Sequence, residues 1–399
     1  MPSSKEYMEI EAKYGAHNYH PIPVVIAKAE GVYVWDPEGK RYTDMLSCYS
    51  ALNQGHRHPK IVKAAKDQLD VLTLTSRAFY NDKLGAFMKK LTTLAGMDMM
   101  LPMNTGAEAV ETGIKLARRW GYEKKKIPKD KAEIIVCAEN FHGRTTTIVG
   151  FSTDPDAQVG YGPFTPGFKV IPFGDADALE KAITPNTAAF LVEPIQGEAG
   201  VMVPPAGYLK KVRDICTKHN VLLVVDEIQT GFCRTGKMFC FQHDGIKPDV
   251  MLVAKALGGG IVPVSAVLSS KEIMGVFTPG THGSTFGGNP MACAVATAAL
   301  DVLLDEKLDK RAEEMGNYFQ QQLKALKNPL FKEVRGMGLL IAVQLTEKAG
   351  PARKYTEELM RNGLLAKETH TTTIRFAPPL VITKEQIDEA VAIIKKVIV

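Results

Sequence analysis

Two apolar runs in this chain end on ionisable residues. Val221-Leu222-Leu223-Val224-Val225 leads into Asp226-Glu227, and Val250-Met251-Leu252-Val253-Ala254 leads into Lys255 and then Ala256-Leu257-Gly258-Gly259-Gly260. An aspartate at a strand end can bind a metal, act as a base or pair with a heterocyclic nitrogen. Taken alone, it also fits a helix cap or a solvated strand end. A lysine at the mouth of a buried strand is partly desolvated, which lowers its pKa and makes the amine a nucleophile able to form a Schiff base. Alone, it equally fits a snorkelling surface side chain.

Other residues that follow apolar runs add complementary chemistry. In Met103-Asn104-Thr105-Gly106-Ala107-Glu108-Ala109, Thr105 and Glu108 stand at capping-box spacing, and Gly106 lets the backbone come close to a ligand. Exposed N–H groups at that helix start would suit a phosphate, although a capped helix with no ligand explains the same pattern. A second cluster, Thr281-His282-Gly283-Ser284-Thr285-Phe286-Gly287-Gly288-Asn289-Pro290, also precedes a helical run. Neither is a P-loop, because the G-x-x-x-x-G-K-[ST] order is absent. Phe141-His142-Gly143-Arg144, Glu193, Glu198 and Gln229 complete the set. A lysine for an imine, an aspartate for a ring nitrogen, Gly-containing helix starts for a phosphate and an aromatic for a ring face are together what pyridoxal 5′-phosphate requires. A metal site is not expected: no cysteines form a C-x-x-C pair, and nothing completes a zinc spacing around His56 and His58.

These residues need elements that hold them together. Strand-length runs occur at Ile134–Ala138, Ala189–Val192, Val221–Val225, Val250–Ala254 and Val264–Leu268, with helical segments between most of them. In Ala107–Trp120, for instance, Ala107, Val110, Ile114 and Ala117 fall on one face. Near-continuous Val/Ile/Leu runs without alternation predict strands buried on both faces, hence an α/β fold with a mostly parallel sheet covered by helices. In such a sheet the ligand site lies beyond the carboxyl ends of the strands. Residues 24–45 read as a β-hairpin closed by Asp36-Pro37-Glu38-Gly39. Beyond about residue 301, helical patterns flank two further strands, Val334–Leu345 and Thr373–Phe376. The expected organisation is a large domain over 50–300 and a small α+β domain built from both termini, 1–49 and 301–399.

Composition narrows the partners. The chain has 399 residues and a formal net charge of +5 spread along its length, and its densest basic run, Lys124–Lys126, carries too few interleaved aromatics to suggest nucleic-acid binding. Six cysteines, several in apolar runs, fit free buried thiols in a reducing compartment. With no apolar stretch of membrane-spanning length and no signal-like N-terminus, a cytoplasmic protein without membrane partners is expected.

The segment Asp226-Glu227-Ile228-Gln229-Thr230-Gly231, with Arg234-Thr235-Gly236, Pro248-Asp249 and Lys255-Ala256-Leu257-Gly258-Gly259-Gly260, resembles the signature of class III (ω-) aminotransferases, and the resemblance covers essentially the whole chain. Gly15-Ala16-His17-Asn18-Tyr19-His20-Pro21, Ser47 to His56 and Arg375-Phe376-Ala377-Pro378-Pro379-Leu380 resemble the branch acting on ornithine. The resemblance implies an aspartate-aminotransferase-like fold. It implies that Lys255 carries pyridoxal 5′-phosphate and moves protons, Asp226 keeps the pyridine nitrogen protonated, Gln229 bonds the ring hydroxyl, and Phe141 stacks on the ring. Gly106 and Ala107 would hold the phosphate, and Thr285 the phosphate in a neighbouring subunit, hence a homodimer with shared sites. His142 is read as packing beside Phe141. Arg144 would bind the far carboxylate of both substrates and Arg375 the α-carboxylate of 2-oxoglutarate or glutamate, with Glu198 neutralising Arg375 while ornithine is bound. Tyr19 would contact the free α-amino group and Tyr49 shape the pocket for ornithine; acetylornithine and 4-aminobutyrate relatives generally lack this pair. The implied reaction moves the δ-amino group of ornithine to 2-oxoglutarate, giving glutamate and glutamate 5-semialdehyde, which cyclises to pyrroline-5-carboxylate in arginine breakdown or proline formation. The alternatives are the same chemistry on acetylornithine or 4-aminobutyrate, or a ligand-binding regulator of the same fold that lacks catalysis.

Overall fold

The computed structural model describes residues 2–399. Its strands are β1 (Lys28–Glu30), β2 (Tyr33–Trp35), β3 (Arg41–Asp44), β4 (Met99–Met103), β5 (Glu133–Cys137), β6 (Phe168–Ile171), β7 (Thr187–Val192) and β8 (Leu222–Asp226). They continue with β9 (Val250–Val253), β10 (Ser265–Ser269), β11 (Phe331–Met337), β12 (Leu340–Leu345), β13 (Leu364–Leu365), β14 (Lys367–Thr369) and β15 (Thr373–Phe376). The five strand-length runs of the middle region all form strands, displaced from the expected ends by two residues or fewer.

The central sheet has seven strands in the order β4-β10-β9-β8-β7-β5-β6. Only β10 runs against its neighbours, so six strands share one direction and their carboxyl ends open on one edge. Alternate side chains of the inner strands feed two separate cores. Val136, Leu191, Val224 and Leu252 meet Val110, Ile114 and Ala117 of the helix Gly106–Glu123. Ile135, Phe190, Leu223 and Val225 meet the helices Ala176–Ala182 and Tyr208–Lys218 on the opposite face. This two-sided burial is the reason those strands read as unbroken apolar runs. The strand β4 carries Pro102, which the sheet tolerates because β4 is an edge strand paired only with β10.

Both ends of the chain build the two smaller sheets, β1-β2-β3-β13 and β11-β12-β15-β14. The expected hairpin over 24–45 is a three-stranded meander. Its turn at Asp36–Gly39 closes as expected, Gly39 N–H donating to Asp36 C=O at 3.1 Å, and a further tight turn at Gly31 adds β1. The single strand expected over Val334–Leu345 is instead the hairpin β11–β12, folded back at Gly338. Gly338 takes φ +55, and a Cβ there would lie 2.5 Å from the Thr235 carbonyl carbon. Only glycine allows that approach, and the pattern of apolar residues alone does not reveal it. No described helix is long and apolar enough to cross a membrane.

Gly338→Ala should therefore destabilise the protein by about 2–3 kcal/mol, the cost of backbone overpacking added to a strained φ. Denaturant unfolding of the two forms checks this, and equal midpoints would contradict the packing described.

Candidate active site

The carboxyl ends of β4, β5, β7, β8 and β9 deliver Gly106, Phe141, Glu193, Asp226 and Lys255 to the wall of one cavity of about 470 Å³. Ala107, His142, Glu198 and Gln229 also line it, from the loops that continue those strands. The helix Gly106–Glu123 starts at the cavity with the capping box in place: Glu108 N–H donates to Thr105 Oγ1 at 3.2 Å and Thr105 N–H to Glu108 Oε2 at 2.7 Å. Ile228 sits so near Gly106 that a Cβ would meet its methyls at 3.3 Å.

Asp226 is buried at the end of β8. Its Oδ1 accepts the Ile228 N–H at 3.0 Å, and its Oδ2 lies 2.6 Å from His142 Nδ1. His142 thus does more than pack beside Phe141, correcting the sequence reading. Burial alone would lower its pKa, but the Asp226 carboxylate outweighs that and raises it. Its Nε2 is buried without a partner. Glu193 lies beside this pair and accepts the Phe141 N–H at 3.1 Å. Burial pushes its pKa up to about 8, with Asp226 adding to the rise and His142 opposing it. Glu193 stood among the strand-end residues of the sequence but had no role there.

Lys255 follows β9 with φ 48, an uncommon conformation for a residue with a side chain. Burial lowers its pKa, against the pull of Glu198. Glu198 forms a two-point ion pair with Arg375: Nη1 to Oε1 at 2.7 Å and Nη2 to Oε2 at 3.3 Å. Arg375, carried by β15, is 1% exposed and also donates to Gly197 C=O at 3.1 Å. The Arg375 charge overcomes the burial that would otherwise raise Glu198, so the carboxylate stays ionised. The Tyr49 ring lies 5.0 Å from the Arg375 guanidinium, and Gln229 Nε2 donates to Glu198 Oε1 at 3.4 Å.

Arg144 stands over the Phe141 ring at 5.7 Å and lines a smaller cavity of about 90 Å³ that shares Phe141, His142 and Glu198 with the first. Four expected site residues line neither cavity of their own chain: Arg375, which is paired with the lining Glu198, Tyr49, which lies against Arg375, and Tyr19 and Thr285. Tyr19 is 73% exposed, and Thr285 is exposed on the loop before the helix Pro290–Asp305. The arrangement can hold a flat heterocycle bearing an aldehyde and a phosphate. It offers a desolvated amine, a carboxylate backed by an imidazole, an aromatic face and a helix start, in a cavity of the size common for small-molecule sites.

Comparison with known proteins agrees with this chemistry. Residues 14–398 match the model of aminotransferase class-III. An ornithine aminotransferase of Brevibacillus brevis is 61% identical, covering 100% of this chain and 99% of its own. The crystal structure of the ornithine aminotransferase of Toxoplasma gondii superposes with a TM-score of 0.98 at 48% identity, over 100% of this chain and 95% of that one. An acetylornithine aminotransferase structure from Elizabethkingia anophelis gives 0.91 at 52% identity, over 100% and 99%.

Glu193 sets a pH dependence. An unfolded glutamate releases its proton near the usual 4.5 and the folded one only near 8, so between these values the native state binds the extra proton. Stability contributed by this group accordingly falls as pH rises from about 5 to 8. Apo-protein carrying Glu193→Gln should show a flatter stability profile across that window in urea titrations; parallel profiles would refute the assignment.

Proposed function

The chain belongs to the class-III aminotransferases, which use pyridoxal 5′-phosphate, and from that premise we propose that it is an ornithine–oxo-acid transaminase with the residues of the cavity in the following roles. When bound, pyridoxal 5′-phosphate supplies an electron sink for the carbon that loses or gains the amine. Lys255 would hold the cofactor and move the proton at its Nζ, and burial, which lowers its pKa, favours the neutral amine. Asp226 would hold the proton on the pyridine nitrogen, and His142 holds Asp226 in place. Phe141 would cover the ring face, Gln229 would bond the ring hydroxyl, and the N–H groups of Gly106 and Ala107 would hold the phosphate.

The observation that carries the substrate reading is the Glu198–Arg375 pair. Ornithine presents an amine to the reacting end of the site, where a bare buried guanidinium would repel it. Glu198 neutralises Arg375 for that half-reaction. When 2-oxoglutarate enters, its α-carboxylate takes the place of Glu198 on Arg375, and Arg144 grips the far carboxylate in both halves. Tyr49, against Arg375, closes the pocket around ornithine, and Tyr19 meets its α-amino group. The reading over acetylornithine or 4-aminobutyrate rests on this tyrosine pair and on the 61% identity to the Brevibacillus brevis protein.

A homodimer is part of this proposal. Leu69, Val71, Leu74, Phe79, Tyr80 and Phe286 are exposed. The 73–81 segment is tied to the 288–291 loop, Asn81 Nδ2 donating to Gly288 C=O at 3.2 Å. This apolar surface contains Thr285, and burying it against a second copy brings Thr285 to a shared site.

Two measurements test the roles. Tyr49→Ile should lower the ornithine to 4-aminobutyrate ratio of kcat/KM by about tenfold or more, a loss of ~1.4 kcal/mol in discrimination; an unchanged ratio removes the reason for choosing ornithine. Glu198→Ala should slow the ornithine half-reaction at least about tenfold more than the glutamate half in single-turnover measurements, because Arg375 is left uncompensated. Equal losses would contradict the exchange of partners. A donor panel with 2-oxoglutarate, trapping pyrroline-5-carboxylate with o-aminobenzaldehyde, checks the overall reaction.

A further inference from the structure

Ser47, Cys48, Tyr49 and Ser50 have φ of 45, 50, 59 and 70°, four consecutive residues in the left-handed region and none of them glycine. Left-handed backbone is unfavourable for residues that carry a side chain, so this turn is strained. It persists only if its surroundings over-determine it. Asp44 Oδ1 accepts the N–H groups of Leu46 and Ser47, both at 2.8 Å, while its Oδ2 lies 2.8 Å from His56 Nε2. Ser47 Oγ donates to Ala377 C=O at 2.6 Å and accepts from Arg234 Nη2 at 3.0 Å.

Arg234 is fully buried. Besides Ser47, its guanidinium donates to Asn53 Oδ1 at 2.6 Å, Pro378 C=O at 2.6 Å and Leu339 C=O at 2.9 Å. All four acceptors are neutral. Burial draws its pKa down to about 9, which leaves it cationic at neutral pH. One planar fork therefore joins both sides of the left-handed turn to the hairpin β11–β12 and to the chain just beyond β15, which carries Arg375.

We infer that Arg234 is a positioning residue for substrate choice, acting by holding the Ser47–Ser50 turn left-handed so that Tyr49 stays against the Arg375 guanidinium. The inference rests on the reading that Tyr49 and Arg375 face the substrate. It is specific to the geometry of the fork: a lysine keeps the charge but cannot reach four divergent acceptors.

The test needs a readout of the turn that is independent of turnover, and Cys48 supplies one. It is exposed, whereas the other five thiols are buried. Arg234→Lys, and the milder Ser47→Ala, should each speed the reaction of Cys48 with a small aromatic disulfide reagent several-fold in the holoenzyme. Each should also lower the ornithine to 4-aminobutyrate kcat/KM ratio, by about tenfold for Arg234→Lys. Ser50→Gly should restore a good part of both when added to Arg234→Lys. Glycine adopts φ 70 freely, and the Ser50 hydroxyl is buried without a partner. Unchanged labelling in both variants, a proportional loss for the two amines, or no restoration by Ser50→Gly would overturn the inference. Labelling and rescue as expected, with discrimination unaltered in Tyr49→Ile as well, would leave Arg234 holding the turn and overturn instead the substrate reading of Tyr49.

Discussion

Taking ionisable groups out of water at the ends of a hydrophobic sheet is the constraint around which this molecule is arranged. A charge buried without a partner is costly, so each such group must be paired, neutralised or shifted in pKa. All three responses occur within one cavity. Asp226 is matched by His142 and Glu198 by Arg375, Glu193 keeps its proton to higher pH, and Lys255 gives its proton up more readily. The same desolvation that threatens stability makes these groups reactive, and the parallel strands make it possible by bringing five carboxyl ends to a single edge.

The site is also a joint between regions of the chain. Glu198 belongs to the loop after β7 of the central sheet, whereas Arg375 lies on β15 of a terminal sheet. An ion pair across that boundary couples the state of the pocket to the seating of the terminal sheet. The proposed exchange of Glu198 for a substrate carboxylate would replace a contact within the chain by one through the ligand, at little net change in buried charge. The arrangement suits a site that must accept two unlike molecules in turn.

Much of this was legible in the sequence, for physical reasons that differ by residue. Lys255 and Asp226 stood out because apolar runs buried on both faces can end on a charge only where the strand leaves the core. Gly106 and the Thr105–Glu108 box were legible as local chemistry. His142 was misread because the group that defines it, Asp226, is far along the chain and meets it only through the pairing of β5, β7 and β8. The hairpin within 334–345 was hidden because its turn depends on glycine packing against the backbone of Thr235 rather than on turn-forming polar residues. The left-handed run at Ser47–Ser50 has no sequence signal at all: none of its four residues favours that conformation, and the contacts that impose it come from Asp44, Arg234 and Ala377.

The parallel pairing of β3 with β13, Thr43 opposite Leu364, has a consequence for biosynthesis. The two strands are some 320 residues apart, which at about 5–20 residues per second is on the order of 16–64 s of translation. Throughout that interval the early meander hangs from the ribosome with one edge open. Arg375, on β15, has yet to be polymerised. The Glu198–Arg375 pair therefore cannot form until the β15 segment has been made.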